Sequence, residues 1–447
     1  MDFLMGLVLE QILSYGSVFL ICFGIVYYYV RQQNKASLAT EAKVAIAKEE
    51  GRFDPISLHP HIDLSLCIGS GACITACPEK DILGIVDGKA TVINASNCIG
   101  HGACFHACPV EAISLRIGTE TRGVELPHVN HNFETNIKGI YIAGELGGMG
   151  LIKNSVEQGQ QAVQNLIKAK KLNNGGAYDL VIIGAGPAGI SASLEAKKHK
   201  LKTITLEQYT LGGTVYSFPR SKIVMTAPMD LPLFGKVKLY NTSKDELLDI
   251  WNEAISKNDL KIQENTKVES ITPVENELFK IVTSSGEEIF SNNVLLAIGR
   301  RGTPRKLGVM GEDLEKVSYR LLEPEQIENK RIVVVGGGDS AVESALLLKD
   351  NNDVILSYRK DKFSRIKVQN RTNVNRAIDD GSLKVLYNSN LIYIDKESVM
   401  IKQEGKVDSR FLNDFVYIFA GGELPSGFLK KAGVEITKRF GYIVKKH

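Results

Sequence analysis

The first strong feature in the pattern of hydrophobic and polar positions is an unbroken apolar run from Ile12 to Val30, nineteen positions without a charged residue. This length is close to the roughly 20 residues that cross the hydrocarbon core of a bilayer as a helix. Tyr27, Tyr28 and Tyr29 lie at one end of it, where aromatic rings favour the headgroup region. The pattern therefore predicts one transmembrane helix, within an N-terminal anchor over residues 1–32.

Charged residues flank this run unequally. The N-terminal side carries Asp2 and Glu10 and has no Lys or Arg, whereas basic residues follow the run at Arg31, Lys35, Lys43 and Lys48. Because cytoplasmic flanks carry the excess of Lys and Arg, the asymmetry predicts a single-pass protein with the bulk of the chain on the cytoplasmic side. A cleaved signal peptide would need a basic start and a small-x-small cleavage site, and neither is convincing here. Residues 33–57 are expected to form a stalk or linker that includes a short helix.

Further along the chain, the buried-strand run AYDLVII ends at Ile183 and is followed by a glycine-rich turn and a helical pattern. The turn reads Gly184-Ala-Gly186-Pro187-Ala188-Gly189. The next strand pattern, KTITLE, ends on Glu207, about twenty positions on, which completes the fingerprint of a dinucleotide-binding fold. In such a fold Gly184 makes the tight turn, Gly186 lets backbone N–H groups approach a pyrophosphate at the helix start, and Glu207 binds ribose hydroxyls.

A second copy of the pattern follows the strand run KRIVVV. Its turn reads Gly336-Gly-Gly338-Asp-Ser340-Ala341. No acidic residue ends its second strand, where Arg359 and Lys360 stand instead and Arg365 follows. Because Arg and Lys bind a 2′-phosphate, this site is predicted to take NADPH in preference to NADH, with a solvated basic turn as the alternative. Two such sites indicate a flavoprotein with FAD in the first and the nicotinamide cofactor in the second.

Composition and charge narrow the functional class. A chain of 447 residues is long enough for two or three domains. Its net charge of +3 is nearly balanced and gives no support to nucleic-acid binding. Six of the seven cysteines form two groups of three, Cys67, Cys73 and Cys77, then Cys98, Cys104 and Cys108. Tight triplets in a large nucleotide-binding chain indicate metal or cluster ligands rather than disulfides.

The cysteines belong to an internal repeat with a period of 31 residues. Cys67-Ile-Gly-Ser-Gly-Ala-Cys73 and Cys98-Ile-Gly-His-Gly-Ala-Cys104 each continue into a third cysteine followed by proline, and the pair Asp87-Gly88 between the repeats predicts a β-hairpin. Residues 60–117 resemble the bacterial two-cluster ferredoxin, in which the last cysteine of each motif binds the other cluster. The resemblance implies an α+β domain with one cluster on Cys67, Cys73 and Cys108 and the other on Cys98, Cys104 and Cys77.

Each repeat lacks the second cysteine of the ferredoxin motif, with Ser70 and His101 in its place. Three outcomes remain open: [3Fe-4S] clusters that need three cysteines, [4Fe-4S] clusters completed by Ser70, His101 or another ligand, or one or two empty sites. A Cys3His zinc site is also chemically allowed in the second repeat. The expectation is at least one and up to two iron–sulfur clusters.

The stretch from Tyr178 to Gly433 resembles bacillithiol-disulfide reductase and its thioredoxin-reductase-like relatives. LEQYTLGGTVYSFP, with Gly213 and Thr214, matches that family, as do LLAIGR, with Gly299, and GGGDSAVESA. The resemblance implies an α/β flavoprotein with two dinucleotide-binding domains, the NADPH domain inserted in the FAD domain, and a homodimer as in related flavoproteins. Since no cysteine follows Cys108, the dithiol catalysis of thioredoxin reductases is excluded.

The family's FAD domain normally ends with a threonine-rich strand and a Gly-Asp pair, which are missing from residues 441–447. A matching segment stands upstream, from Phe133 to Gly144 and Glu145, with Glu145 in place of the aspartate. The FAD domain is therefore predicted to be permuted. The predicted domains are residues 1–32 (anchor), 33–57 (stalk), 58–117 (ferredoxin), 118–173 (permuted FAD segment), 177–304 (FAD), 305–412 (NADPH) and 413–447 (return to the FAD domain).

The combination predicts an enzyme, a membrane-anchored NADPH-dependent FAD oxidoreductase that converts two-electron into one-electron transfer. A quinone, a cytochrome, a ferredoxin or a small disulfide is the expected acceptor, and the direction of electron flow stays open. One rival is a reductase that acts from reduced FAD directly on a small disulfide, although this would leave the ferredoxin module without a role. Another is a membrane redox or iron sensor without turnover.

Overall fold

The computed structural model describes residues 2–49, 52–53, 55, 58–79, 81–98, 100–120, 123–147, 150–169, 178–219, 224–300, 304–363, 366–423 and 425–445. The α-helices are α1 Asp2–Glu49, α2 Ala72–Ala76, α3 Ala103–His106, α4 Ile152–Lys168, α5 Pro187–Lys198, α6 Lys244–Lys257, α7 Asp339–Leu348, α8 Val368–Asp379 and α9 Ser426–Lys431. The chain forms two compact units, divided near residue 116: the first contains α1 and the six clustered cysteines, and the second contains both glycine-rich turns together with Gly100 and His101.

The strands of the first unit are β1 His59–Ile62, β2 Leu83–Val86, β3 Lys89–Val92 and β4 Ile113–Ile117. The strands up to the middle of the second unit are β5 Val124–Pro127, β6 Ile140–Ile142, β7 Leu180–Ile183, β8 Thr203–Leu206, β9 Val224–Met225, β10 Met229–Leu231, β11 Gly235–Val237, β12 Asn241–Thr242, β13 Ile262–Gln263, β14 Val268–Val274, β15 Leu278–Thr283, β16 Glu288–Ser291 and β17 Val294–Leu296. The remaining strands are β18 Val317–Ser318, β19 Arg331–Val335, β20 Asp353–Ser357, β21 Lys384–Leu386, β22 Ser389–Ile394, β23 Ser398–Gln403, β24 Ser409–Leu412, β25 Phe415–Ile418, β26 Ile436–Arg439 and β27 Tyr442–Lys445.

The first unit builds two antiparallel strand pairs around the cysteine repeat, β1 with β4 and β2 with β3. The turn between β2 and β3 has Asp87 at φ 49° and Gly88 at φ 71°. Positive φ at both central residues is typical of a type I′ hairpin turn, which Asp-Gly favours. The hairpin predicted from the sequence is therefore present.

Helix α1 continues without a break from the apolar run through the predicted stalk. Its described side chains are exposed from Leu13 to Ala36, and then a stripe at positions 37, 40, 44 and 47 is partly or fully buried. A spacing of three and four residues places such side chains on one face of a helix. A Cβ added at Gly84 of β2 would lie 2.6 Å from Cγ2 of Thr40, which shows how closely the two elements approach. The stalk is thus part of the first unit, because this face packs against the β2–β3 hairpin.

The first sheet of the second unit has the parallel order β13-β8-β7-β17-β6. All four residues of the central strand β7 are buried, as expected of a parallel strand covered on both faces. The edge strand β6 comes from the chain before β7 and pairs with β17 in parallel. Helix α4, also upstream, presents a buried face at helical spacing that includes Val156, Gly159 and Val163. The upstream segment thus completes the first sheet and its helical layer, as a permuted domain requires.

The second parallel sheet has the order β18-β25-β19-β20-β21 and forms the inserted domain. Strand β25 pairs with β19 along residues Phe415–Ile418. The inserted domain therefore extends at least to Ile418, and the predicted boundary at residue 412 is too early. Beyond this strand, Leu429, Ala432 and Val434 join the core around the first sheet. The sequence did not show this because FVYI reads as a buried strand that would suit either sheet.

Candidate cofactor sites

The first glycine-rich turn lies between β7 and α5, at the carboxyl end of the first sheet. Gly184 has φ 105°, and a Cβ there would lie 2.6 Å from the carbonyl oxygen of Ala297. A Cβ at Gly189 would lie only 1.8 Å from the carbonyl oxygen of Gly184. The glycines are therefore required for the turn and for the close approach of helix α5 to it.

Gly186 ends the turn and caps α5, which starts at Pro187. Its backbone is extended, and no side chain caps the N–H groups of the first helical turn. A Cβ added at Gly186 meets nothing within 4 Å. This open space in front of uncapped N–H groups suits an anionic pyrophosphate, so the residues present fit the dinucleotide that the sequence predicts.

Glu207 is 5 % exposed and lies just after β8. Its carboxylate accepts hydrogen bonds from the backbone N–H groups of Ala185, at 2.8 Å, and of Tyr209, at 3.0 Å. The side chain thus holds the glycine-rich turn against the segment after β8. Each carboxylate oxygen keeps acceptor capacity beyond these bonds. The ribose-binding role of Glu207 stays a prediction, and the structure adds that Glu207 fixes the shape of the turn.

Three other predicted FAD residues lie around this turn. Gly213 approaches it, since a Cβ there would lie 3.4 Å from Cα of Gly186, and Thr214 follows directly. Gly299 has φ 65° and follows strand β17, whose end is joined to β7 by the bond from Ala297 N to Ile183 O at 2.8 Å. Their contacts with a flavin stay predictions.

The upstream segment reaches the same place. Gly144 has φ 87°, and a Cβ there would lie 3.1 Å from Cβ of Ala188 in α5. The N–H of Gly144 donates to the side chain of Gln158 at 2.8 Å. Glu145 follows and is partly buried. The structure therefore brings the Gly144-Glu145 pair to the first dinucleotide turn, as predicted, and leaves its function as a flavin ligand a prediction.

The second glycine-rich turn lies between β19 and α7. Gly336 has φ 146°, and a Cβ there would lie 2.6 Å from the carbonyl oxygen of Phe419. Gly338 caps α7 in an extended conformation, with nothing within 4 Å of an added Cβ. Ser340 is exposed and Ala341 is buried. This turn also offers open space and uncapped N–H groups to an anionic ligand.

The residues after β20 differ in character from Glu207. The ring of Tyr358 lies under Gly337, where a Cβ would approach a ring carbon to 1.9 Å, and it stacks on Phe363 with centroids 5.2 Å apart. Arg359 and Lys360 come next and are exposed. Their proposed contact with a 2′-phosphate stays a prediction. Arg365 lies outside the described residues.

The cysteine repeat forms two matching loops. All four repeat glycines adopt left-handed φ, between 67° and 77°, namely Gly69, Gly71, Gly100 and Gly102. Backbone N–H groups donate to sulfur, from Ala90 to Cys67 at 3.3 Å and from Ala112 to Cys108 at 3.2 Å. Such bonds stabilise ligating thiolates and tune cluster potential. The loops therefore fit cluster ligation.

Electrostatic interactions connect thiols both within and between the two repeats. Burial raises the pKa of the Cys73 thiol, and the interactions with Cys67 and Cys108 add to it. Burial is also the main reason that the pKa of the Cys104 thiol rises to about 12, and the interactions with Cys98, Cys77 and Cys73 raise it further. Buried thiols of this kind become thiolates when they bind a metal, which supplies the compensating charge.

The two positions that replace cysteines are less defined. Ser70 is exposed, and its Oγ accepts a long bond of 3.5 Å from Ala72 N. His101 is partly buried. Within the described part of the chain, no three His, Cys, Asp or Glu side chains converge closely enough to hold a single metal ion. An iron–sulfur cluster is larger than a single metal ion, so the thiolates that bind it lie farther apart. Three-iron clusters, and four-iron clusters completed by Ser70, His101 or another ligand, remain predictions.

Two family models match the chain. Residues 181–445 match the pyridine nucleotide-disulphide oxidoreductase family, and residues 59–109 match the 4Fe-4S dicluster domain. The chain belongs to the pyridine nucleotide-disulphide oxidoreductases. It is a flavoprotein oxidoreductase with a fused iron–sulfur domain, which confirms the predicted fold class and its assignment as an enzyme.

Several relatives of this flavoprotein match about half of the chain. A bacilliredoxin reductase from Bacillus subtilis is 27 % identical over 267 residues, 58 % of this chain and 82 % of that protein. A ferredoxin–NADP reductase from Bacillus thuringiensis is 31 % identical over 204 residues, 44 % of this chain and 56 % of that protein. The bacillithiol disulfide reductase structure from Staphylococcus aureus has a TM-score of 0.51 at 24 % identity and covers 59 % of this chain and 84 % of its own, which supports the fold.

Sequence reasoning missed several residues that shape these sites. Gly159 of α4 is one, because a Cβ there would lie 2.1 Å from the carbonyl oxygen of Ala188 and would push α4 away from α5. Gln158, which holds Gly144, and Tyr358, which supports Gly337, are others. A glycine inside the helical pattern of residues 152–168 was the available signal for Gly159. The sequence contained no comparable signal for Gln158.

Proposed function

We propose that this flavoprotein is a membrane-anchored NADPH-dependent oxidoreductase that passes electrons to an acceptor through its ferredoxin module. The observation that carries the proposal is the presence in one chain of two open glycine-rich turns and two cysteine loops with matching left-handed glycines and N–H bonds to sulfur. When bound, the dinucleotides supply hydride transfer and the clusters supply one-electron transfer.

The residues of the two glycine-rich turns would divide the work between two cofactors. The turn around Gly186, held by Glu207 and joined by Gly144 and Glu145, would bind the FAD diphosphate and ribose. The turn around Gly338 would bind the nicotinamide cofactor, and Arg359, next to Lys360, would select its 2′-phosphate. Charge-assisted hydrogen bonds from these bases are stronger than neutral ones and would discriminate NADPH from NADH.

Helix α1 supports the membrane assignment. By length and composition it could cross a bilayer, and its side chains from Leu13 to Ala36 are exposed. The basic residues after the apolar run would place the ferredoxin module on the cytoplasmic side. A quinone, a cytochrome or a ferredoxin would then be the acceptor, and the name of the Bacillus thuringiensis relative favours a ferredoxin-like partner. We also propose a homodimer on the family resemblance.

The test is the cofactor content and turnover of full-length protein purified without air. We expect bound FAD, iron with labile sulfide, and NADPH oxidation with ferricyanide. Electron paramagnetic resonance before and after reduction with NADPH separates three-iron from four-iron clusters. Cys104→Ser is expected to lose the signal of one cluster and keep the flavin, whereas the matched control Cys22→Ser, in the apolar part of α1, keeps both. Protein without flavin and without labile sulfide would contradict the proposal.

A second candidate is reduction of a small disulfide directly by the flavin domain. The similarity to a bacilliredoxin reductase across 82 % of that protein favours it. The absence of cysteines after Cys108 in the sequence requires the reduced flavin to act without a protein dithiol. Equal NADPH-dependent reduction of bacillithiol disulfide by wild-type protein and by a Cys73→Ser, Cys104→Ser double variant would favour this candidate, since the ferredoxin module would then be dispensable.

A further inference from the structure

The hairpin β2–β3 lies along α1 in a fixed direction. The N–H of Asp87 donates to Oγ of Ser37 at 3.0 Å. Gly84 lies against Thr40, and Nζ of Lys43 pairs with Asp81 at 2.6 Å. Along these three contacts the residue numbers in α1 rise from 37 to 43, while the residue numbers of their partners fall from 87 to 81. The turn of the hairpin therefore points toward the apolar part of α1.

This turn would lie close to a membrane surface. Arg31, the first basic residue after the apolar run, precedes Ser37 by six residues, which is about 9 Å along a helix. The other end of the module lies beyond α1, where the N–H of Ser96 donates to the carbonyl of Arg52 at 3.0 Å. The ferredoxin module thus has a membrane-proximal end at the hairpin turn and a distal end near Arg52.

The loop of the first cysteine repeat occupies the proximal end. Gly69 lies against the turn, since an added Cβ would be 2.0 Å from the carbonyl oxygen of Gly88. Nζ of Lys89 donates to the carbonyl of Cys67 at 2.6 Å. The residues just before Cys67 form a compact turn, in which the carboxylate of Asp63 accepts hydrogen bonds from the backbone N–H and the hydroxyl of Ser65 at 2.9 and 2.5 Å.

This same loop exposes large apolar side chains. Leu64 is 58 % exposed, Leu66 is 53 % exposed and Ile68 is 64 % exposed. They alternate with Ser65 and Cys67 over five residues. Exposed apolar side chains grouped in this way mark an interaction surface. They lie beside the turn that faces the apolar part of α1, so the bilayer that α1 would cross is the partner that this surface would contact.

We propose that the loop Leu64–Ile68 is a second membrane contact, inserted in the headgroup–acyl boundary of the bilayer that α1 spans. This inference rests on the proposed function only in requiring α1 to cross the membrane. Apolar side chains of peripheral segments penetrate about 5–10 Å into that boundary. The contact would place Cys67, and the cluster that it helps to hold, at the lipid surface, where a lipid-soluble acceptor would approach it.

The test uses full-length protein in phosphatidylcholine vesicles that contain a lipid with a photoactivatable diazirine in its acyl chain. After illumination, labelled residues are mapped by mass spectrometry. We expect label in the apolar run Ile12–Val30 and in Leu64–Ile68, and none at Ile46. Ile46 is 49 % exposed and lies on α1 about 22 Å beyond Arg31, so it is a matched apolar control.

Label in the apolar run without label in Leu64–Ile68 would overturn this inference and leave the proposed anchor intact. No label in either segment would overturn both. A second measurement compares Leu66→Glu with Ile46→Glu. Leu66→Glu is expected to lower labelling of the loop severalfold while labelling of the apolar run is unchanged, and Ile46→Glu is expected to change neither. Equal loop labelling in Leu66→Glu and wild type would also count against insertion.

Discussion

The two glycine-rich turns share a design but differ in how tightly the helix packs on the turn. In the first, Gly189 comes so close to Gly184 that an added Cβ would lie 1.8 Å from its carbonyl oxygen. In the second, the corresponding position is Ala341, whose Cβ fills the space beside Gly336. The residues after the second strand of each motif also differ, since a buried Glu207 directly follows β8, whereas an exposed Arg359 stands two positions after β20. Both turns thus suit a diphosphate, whereas the neighbouring positions are expected to decide tightness and cofactor choice.

The largest expected effect tests tightness. Gly189→Ala places a methyl group against backbone that cannot move aside, and we expect a destabilisation of about 2–4 kcal/mol with loss of most bound FAD. The reciprocal change Ala341→Gly, in the second turn, should cost about 1 kcal/mol through helix propensity and leave FAD in place. The ratio of flavin absorbance to protein and the thermal unfolding temperature measure both. Full flavin occupancy in Gly189→Ala would show that the two turns are equally tolerant.

The next effect tests cofactor choice. In a double Arg359→Ala, Lys360→Ala variant, the loss of hydrogen bonds to a charged group should cost about 1.5–3 kcal/mol in NADPH binding. The ratio of kcat/KM for NADPH to that for NADH is then expected to fall about 10- to 100-fold. FAD content should not change, because both residues lie in the inserted domain. An unchanged ratio would mean that these bases form a solvated turn.

A smaller effect is expected at the glutamate of the first site. Glu207→Gln presents an N–H₂ group to one of the two backbone donors, Ala185 N or Tyr209 N, that the carboxylate now satisfies. An unsatisfied buried donor costs about 1–3 kcal/mol. We expect weaker FAD retention on dilution with an unchanged KM for NADPH. If KM for NADPH rose instead, the division of roles between the two turns would be wrong.

The smallest effect concerns pH and a glutamate of the second domain. Burial raises the pKa of Glu312, but hydrogen bonds from Leu307 N, from the Tyr319 hydroxyl and from Gly308 N outweigh it and hold the pKa below its ordinary value of 4.5. The folded form binds the proton more weakly than the unfolded form, so this carboxylate stabilises the fold above pH 4.5 and the contribution is lost as pH falls through the folded pKa.

Glu312→Gln should therefore lower the unfolding temperature modestly at pH 7 and reduce its dependence on pH between about 5 and 3. Thermal unfolding followed by circular dichroism at several pH values measures the effect. Glu325, an exposed glutamate, is the control position, and Glu325→Gln should leave the unfolding temperature at pH 7 close to the wild-type value. A wild-type profile in Glu312→Gln would show that the hydrogen bonds at Glu312 do not contribute to folding.

The sequence predicted the features that depend on local pattern. Both glycine-rich turns, the Asp87-Gly88 hairpin and the matching cysteine loops arise from short motifs whose conformations are set by glycine geometry. The displaced segment around Gly144 was also found, because its motif survives the change of position.

Features that depend on tertiary packing could not be read in the same way. The placement of Phe415–Ile418 in the second sheet required knowledge of which strand it pairs with. The docking of α1 was not visible because Ser37 and Thr40, two of its four contact positions, are small polar residues and Ala47 is a small apolar one, so the stripe has only a weak hydrophobic signature. The bonds of Glu207 to Ala185 and Tyr209 were hidden because a ribose ligand and a backbone donor both favour an acidic residue at that position.

Helix α1 is continuous from Asp2 to Glu49, with no hinge between its apolar portion and the face that holds the hairpin. In the proposed membrane orientation, a tilt of α1 would therefore also tilt the ferredoxin module. A transmembrane helix whose apolar segment is longer than the bilayer is thick accommodates the mismatch by tilting. Lipid composition would then set the angle between the first cysteine loop and the membrane surface. Bilayer thickness would in this way affect electron transfer from the loop's cluster to an acceptor in the membrane.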